Sequence, residues 1–157
     1  CALRAGHPED SSFRMRHLGE LPEITCASPG YLGRHGRPLD FDDLDGHRMV
    51  GFLSSRTGDV LPLEFTRNGT VHSRRLDTLV STDNSDTAAA LARQGLGLIQ
   101  APQYRFSADL ASGALLEVLE DCRPVPMPLN AIHPGDRTVP RRLAVFLDWV
   151  RDLFTQG

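Results

Sequence analysis

The clearest hydrophobic pattern lies near the end of the chain. Apolar residues recur there at i, i+3, i+4 and i+7 with charged residues between them, a period that indicates an amphipathic helix with one apolar stripe facing a core. Pro140 is predicted to open this helix, because proline fits the first helical turn. The stripe consists of Leu143, Phe146, Leu147, Val150, Leu153 and Phe154.

Two further helices are predicted from their capping residues. Ser28 suits an N-cap, because its hydroxyl can accept a free backbone N–H, and Pro29 suits the first turn that follows. This helix should end before Gly36. Asp83 is predicted to cap a second helix that runs to Gln94, with an acidic first turn that the helix dipole favours.

Short apolar runs bounded by turn residues predict strands. They cover residues 2–6, 13–18, 21–27, 49–53, 61–66, 71–75, 79–82, 97–101, 115–119 and 129–133, and a short helix is predicted over 103–111. Asn68-Gly69 is a strong signal for a tight hairpin between two of these strands. Strands that alternate with helices predict an α/β fold with open sheets.

Composition places the chain among globular proteins. Its 157 residues are 40% hydrophobic and 24% charged, which suits one domain or two small lobes. No apolar run of roughly eighteen residues predicts a membrane span, and no secretory signal is visible. The net charge is −3, and the 17 basic residues, all arginine, are scattered, whereas a DNA-clamping chain normally shows a clustered basic excess. The chain begins without methionine, so we expect its natural start to lie upstream.

The sequence carries no pattern typical of a metal, a cofactor or a catalytic nucleophile. Three widely spaced cysteines, Cys1, Cys26 and Cys122, argue against a disulfide framework and favour the cytosol. The six histidines form no H-E-x-x-H pair, and no G-x-S-x-G elbow occurs. The acidic segment 40–46 lacks oxygen ligands at the EF-hand positions, so Asp42 or Asp43 is expected only to cap a turn. We therefore expect no cofactor, no metal and no enzymatic activity.

Several segments, taken in order, resemble the effector-binding domain of LysR-type transcriptional regulators. The most specific is Cys26-Ala27-Ser28-Pro29-Gly30-Tyr31-Leu32 with His35-Gly36-Arg37-Pro38. The others are Cys1 to Gly6, Asp10 to Phe13, Gly46-His47-Arg48, Thr82-Asp83-Asn84, Gln94 to Leu98, Gly113 with Leu115-Leu116, Pro128 to Pro134, and Pro140 to Phe146. The resemblance spans essentially the whole chain.

This resemblance implies an α/β fold like that of the type II periplasmic binding proteins, with two lobes and a ligand cleft between them. Residues 1–25 and 127–157 would form part of lobe I, which would be incomplete, and residues 26–126 would form lobe II. The family's helix-turn-helix is absent from this chain, so DNA would be bound only through that missing domain. The family also implies a small-molecule effector and a homo-oligomer, either a dimer or a tetramer, in the cytoplasm.

Six residues are candidates for contact with the effector, since sites in open α/β sheets lie at the carboxyl ends of strands. Asp83 and Asn84 open a helix whose free N–H groups suit an anion, and Ser28 holds a similar position, although a capping role is the simpler explanation of both Ser28 and Asp83. Arg4 could bind a carboxylate or pair with a surface acid. Phe52 and Pro102 could form an apolar wall or belong to the core.

Two other functions remain open at this point. An extracytoplasmic solute-binding protein of the same fold would share the cleft but lack a DNA-binding domain, and the odd cysteine count argues against it. A small acyl-transfer hydrolase would need an elbow serine and a positioned histidine, which the sequence does not offer. We expect ligand-gated transcription, in which the effector binds one arrangement of the protein better than another.

Overall fold

The chain is described by a computed structural model that covers residues 1–6, 13–55, 57–134 and 141–155. It divides into two compact units. Unit 1 contains Cys1–Pro22 and Pro126–Gly157, and unit 2 contains Glu23–Val125. Unit 1 is therefore assembled from the two ends of the chain, while unit 2 is one continuous segment.

The described residues follow the order of elements that the sequence predicts. The strands are β1 (Ala2–Ala5), β2 (Phe13–Leu21), β3 (Glu23–Ala27), β4 (Arg48–Phe52), β5 (Leu63–Arg67), β6 (Thr70–Arg74), β7 (Asp77–Thr82), β8 (Ile99–Pro102), β9 (Leu116–Val118) and β10 (Met127–Pro134). The helices are α1 (Pro29–His35), α2 (Ser85–Arg93), α3 (Ser107–Ser112) and α4 (Arg141–Thr155), with 3₁₀ turns at Phe41–Leu44, Gln103–Phe106 and Glu120–Cys122. None of these helices is long and apolar enough to cross a membrane.

Two of the sequence predictions need correction. The strand predicted over 21–27 begins at Glu23, and the strand predicted over 13–18 extends to Leu21, because Pro22 lacks the N–H that a ladder needs and separates β2 from β3. In the acidic segment, Asp40 rather than Asp42 or Asp43 is the N-cap. Its carboxylate accepts the N–H of Asp42 at 3.3 Å, and the Asp43 carboxylate accepts the N–H of Asp40 at 3.1 Å. The prediction was therefore wrong for Asp42 and partly correct for Asp43, which completes the capping box that Asp40 begins.

Unit 1 is a three-stranded antiparallel sheet in which β10 lies between β1 and β2. The core forms where α4 packs against this sheet. Leu147 and Val150 of α4 are buried with Leu18, Leu129 and Ala131 of the sheet. An ion pair of 2.5 Å between Arg16 and Asp148 joins β2 to α4 beside this core.

The predicted apolar stripe of α4 is only partly correct. Leu147 and Val150 are buried and Leu143 packs against them, as predicted. Phe146 is 42% exposed, so the prediction that it faces the core was wrong, and its ring lies 6.2 Å from that of Trp149. Pro140 and the side chains of Leu153 and Phe154 lie outside the described part of the chain.

The order and direction of the strands in unit 2 determine which strand ends lie at the same edge of its sheet. β4 and β7 are parallel, and β4 is joined to β8 by a parallel bridge between Met49 and Leu98. The N–H of Val50 donates to Leu98 O at 2.9 Å, and the N–H of Leu98 donates to Arg48 O at 2.8 Å. β3 is antiparallel to both β8 and β9. The resulting order is β7-β4-β8-β3-β9.

Each face of this sheet carries a core. One face buries Tyr31, Phe65 and Leu98, together with residues of the 3₁₀ turns. The other buries side chains of the sheet against α2 and α3. β5 and β6 form the predicted hairpin, in which Asn68 and Gly69 both have positive φ (51° and 76°), as a type I′ turn requires.

Candidate functional site

The carboxyl ends of β4 and β7 lie side by side in unit 2. Phe52 ends β4 and stands opposite Thr82, which ends β7, and the N–H of Leu53 donates to Thr82 O at 2.9 Å. Asp83 and Asn84 follow directly and lead into α2. Three candidates that are distant in sequence are thus brought to one edge of the sheet, which is where open α/β sheets hold ligands.

Pro102 reaches the same edge. It ends β8, which runs parallel to β4, and it stands opposite Glu23 at the start of β3. Pro102 is buried, and Phe52 is half-buried against the core on the α2 side. Both residues therefore belong to the rim of the core, with the ring of Phe52 only partly covered.

The N-cap of α2 is Asn84, and the prediction that Asp83 caps this helix was wrong. The Asn84 side-chain oxygen accepts the N–H groups of Asp86 and Thr87 at 3.0 and 2.9 Å. The Thr82 hydroxyl accepts the N–H of Asn84 at 3.0 Å and so holds the cap in place. Asp83 lies one residue before the cap and is exposed.

This helix end does not favour an anion. Two of its N–H groups are already bonded to Asn84, and Asp86 places a carboxylate in the first turn. Arg105 lies 3.5 Å from Asp86 and balances only that one charge. The surroundings of Asp83 and Asn84 therefore suit a neutral group or a hydrogen-bond donor better than a carboxylate.

The other two candidates lie elsewhere. Ser28 follows the carboxyl end of β3, but β3 runs opposite to β8, so Ser28 lies at the other edge of the sheet. Its hydroxyl accepts the N–H of Tyr31 at 3.3 Å and caps α1, as the sequence predicts. Arg4 belongs to unit 1, where it is exposed on β1 opposite Asn130.

A carboxyl that sequence reasoning missed lies beside Pro102. Burial, with a smaller contribution from the charge of Glu64, raises the pKa of Glu23 to about 7. Glu64 is held nearby because Gln100 bonds its backbone N–H and C=O, each at 2.8 Å, and also donates to the Thr25 hydroxyl at 2.9 Å. No local sequence pattern marks Glu23, because its burial depends on the pairing of β3 with β8.

The strand-end geometry of unit 2 is that of an α/β ligand-binding domain. The chain matches the LysR substrate binding domain over residues 1–155 and belongs to that family. It is 31% identical over 150 residues to the uncharacterized HTH-type transcriptional regulator YhjC of Escherichia coli K12, covering 96% of this chain and 50% of that protein. It is 32% identical over 153 residues to the regulator CrgA of Neisseria meningitidis serogroup B, covering 95% and 49%.

The fold is the type II periplasmic-binding-protein-like α/β fold of LysR regulatory domains. The solved regulatory domain of CrgA, a LysR-type transcriptional regulator, is similar to this chain with a TM-score of 0.77 and 28% identity, covering 97% of this chain and 74% of that domain. The chain spans about half the length of the curated relatives it matches.

Proposed function

We propose that this chain is the effector-sensing part of a LysR-type transcriptional regulator whose DNA-binding helix-turn-helix lies outside the chain. The observation that carries the proposal is the family match over residues 1–155. The relatives are named HTH-type transcriptional regulators, which does not favour the solute-binding alternative. The net charge of −3 fits a domain that leaves DNA contact to another segment.

In this proposal unit 2 is lobe II, and unit 1 is an incomplete lobe I. The proposed lobes cover residues 26–126 and residues 1–25 with 127–157. The chain passes between the two compact units at Pro22–Glu23 and at Val125–Pro126, which supports the assignment.

The proposed effector-contact surface is the edge of unit 2 that Phe52, Asp83, Asn84 and Pro102 share. The exposed part of the Phe52 ring offers apolar contact, and the exposed side chain of Asp83 offers a hydrogen-bond acceptor. The ligand acts by binding one arrangement of the regulator better than another, because only that difference in affinity shifts the equilibrium. We further propose a cytoplasmic homo-oligomer with no enzymatic activity, in keeping with relatives that are named regulators.

A thermal-shift screen of small metabolites against the chain tests the proposed site. A ligand at a hundred times its Kd stabilises the folded state by about 2.7 kcal/mol. Asp83→Ala should reduce this stabilisation. Asp77→Ala is the matched control, because Asp77 is also exposed but lies at the opposite end of the same strand, β7.

The same ligands are then tested on the full-length regulator bound to its operator. A ligand that stabilises the chain and changes operator affinity supports effector sensing. Turnover of a ligand by the chain, or operator affinity that no stabilising ligand changes, would sink the proposal. If Asp83→Ala and Asp77→Ala reduce the stabilisation by the ligand equally, the ligand does not bind at this edge of the sheet.

A further inference from the structure

The tip of the β5–β6 hairpin carries two residues whose chemistry the proposed function does not use. Asn68 and Gly69 are both exposed, and both have positive φ, at 51° and 76°. Within the part of the chain that the structure describes, no hydrogen bond holds the Asn68 carboxamide or the N–H of Gly69. A Cβ built on Gly69 would meet no described heavy atom within 4 Å. Water therefore reaches both the carboxamide and the backbone nitrogen that follows it.

The structure protects the other two of the three asparagines in the sequence. Asn84 caps α2, where its side-chain oxygen accepts two backbone N–H groups at 3.0 and 2.9 Å. Asn130 is 4% exposed in the central strand β10, and its carboxamide donates to Gly6 O at 3.3 Å. Ser85 and Ala131 follow these two asparagines, so a side chain also crowds the backbone nitrogen next to each carboxamide.

We propose that Asn68 is a site of spontaneous deamidation, a covalent modification that consumes water and releases ammonia. The backbone nitrogen of Gly69 loses its proton to hydroxide and attacks Cγ of Asn68. The Cγ–Nδ2 bond then breaks, Nδ2 takes a proton from water and leaves as ammonia, and a cyclic succinimide joins the two residues. Glycine favours this step because it has no side chain to hinder the attack and its backbone rotates readily.

Water then opens the succinimide at either of its two carbonyl groups. Breaking the bond between the nitrogen and Cγ restores the ordinary backbone and leaves aspartate at position 68. Breaking the bond between the nitrogen and the main-chain carbonyl carbon leaves isoaspartate, whose backbone is longer by one methylene group. Both products carry one negative charge that the carboxamide lacks, and neither step needs an oxidant, a reductant or an enzyme.

The isoaspartate product does not fit the turn that asparagine forms. Asn68-Gly69 is a two-residue type I′ turn between Arg67 and Thr70, which pair with each other at the end of the ladder. An added methylene group changes the loop length, and loop length fixes the register of a hairpin. The hairpin places Phe65 in the core, and Arg67 lies 3.2 Å from Asp42, so isoaspartate should loosen this part of unit 2.

Peptide mapping by mass spectrometry tests the site in the folded chain. During incubation in mildly alkaline buffer, the peptide with Asn68 should progressively exchange its amide for a carboxyl, while the peptides with Asn84 and Asn130 stay unmodified. The exchange should be faster at higher pH, because the nitrogen of Gly69 attacks without its proton. Digestion at low pH prevents further reaction, and isoaspartyl methyltransferase should label the modified peptide, since it methylates isoaspartate and not aspartate.

Asn68→Gly is the matched control, because Gly-Gly also suits a type I′ turn but has no carboxamide. Incubation should leave the mass and the urea midpoint of this variant unchanged. Incubated wild type should unfold at a lower urea concentration than fresh wild type. Fresh Asn68→Asp carries the added charge on an ordinary backbone, so its midpoint should lie close to that of fresh wild type.

Three results would overturn the proposal. If the Asn68 peptide keeps its amide, or if all three asparagines lose theirs at one rate, the hairpin tip is not a selective site. If fresh Asn68→Asp unfolds at as low a urea concentration as incubated wild type, the longer backbone is not what loosens the hairpin. None of these results bears on effector sensing, because ligand stabilisation and operator binding are measured on fresh protein.

Discussion

Glu23 shows how a single side chain couples the strand-end edge of unit 2 to pH. Its carboxyl is partly buried beside Pro102, and Glu64 adds a like charge, so the pKa rises from 4.5 to about 7. Between these two values the folded protein holds more protons than the unfolded chain. Linkage then requires the free energy of unfolding to fall as pH rises through this window.

Replacing Glu23 with glutamine should remove that pH dependence. At about pH 8 we expect Glu23→Gln to be more stable than wild type by about 2 kcal/mol, after allowance for the part of the side chain that water still reaches. Near pH 4 the two proteins should have equal stability. Urea unfolding at several pH values between these limits measures both.

Glu120→Gln is the control, because that carboxylate is exposed and bonded to Arg37 at 3.2 Å. Its effect should be small and should not grow between pH 4.5 and 7. Glu64→Gln should reduce the pH dependence in part, since it removes the second cause of the shift. A wild-type protein that becomes more stable relative to Glu23→Gln as pH rises would contradict this account.

At the scale of elements, the start of α2 offers a direct comparison of two neighbouring residues. Asn84→Ala should cost about 1 kcal/mol of stability, because it leaves the N–H groups of Asp86 and Thr87 without their acceptor. Asp83→Ala should cost much less, since Asp83 lies outside the cap. Chemical unfolding of both variants gives the comparison, and equal costs would contradict the assignment of Asn84 as the cap.

The connection between α2 and β8 contains a glycine with no room for a side chain. A Cβ on Gly97 would stand 2.8 Å from Arg48 O and from backbone atoms of Met49. That backbone cannot withdraw, because Leu98 bonds it on both sides. Gly97→Ala should therefore cost about 1–3 kcal/mol.

Gly33→Ala is the matched control for Gly97. Gly33 lies inside α1, and among the described residues outside that helix no heavy atom comes within 4 Å of its added Cβ. Alanine there should raise the thermal midpoint, because it favours helix. If Gly97→Ala unfolds at the same urea concentration as wild type, the close approach of the two backbones does not require glycine at this position.

Signals that lie within a few residues of one another predicted most of the elements. The Ser28 cap and the Asn68-Gly69 turn were correct, because each depends on local backbone chemistry. Asp83 and Asn84 are both good caps, and the choice depends on Thr82, whose hydroxyl fixes Asn84. The local sequence pattern therefore cannot decide which of the two residues caps the helix.

The candidate site could be predicted only in part, because strand order decides which of the candidate residues share an edge of the sheet. Phe52, Asp83, Asn84 and Pro102 share an edge as a result of the parallel pairings of β4 with β7 and β8. Ser28 also follows a strand, yet the antiparallel direction of β3 places it at the other edge. For the same reason the burial of Glu23 was invisible to a sequence pattern.

At the scale of the whole molecule, unit 2 should fold without unit 1. Residues 23–125 contain both faces of the β7-β4-β8-β3-β9 sheet and the buried clusters on them. We expect the isolated segment to unfold cooperatively in urea. Both tyrosines, Tyr31 and Tyr104, lie in unit 2 and the only tryptophan lies in unit 1, so the two units give separate near-ultraviolet signals.

The intact chain supplies the reference for that fragment. The tyrosine signal of residues 23–125 should change at a urea concentration close to that of the same signal in the whole chain. A fragment with no cooperative transition would mean that unit 2 depends on the chain ends for its stability.

The central place of β10 in unit 1 has a consequence for synthesis on the ribosome. β1 and β2 are made before unit 2, but each pairs with β10, which emerges only after all of unit 2. At translation rates of about 5–20 residues per second, the two early strands wait for several seconds with unpaired edges. A nascent chain interrupted between residues 22 and 127 should therefore be a preferred chaperone client, whereas the finished chain is not.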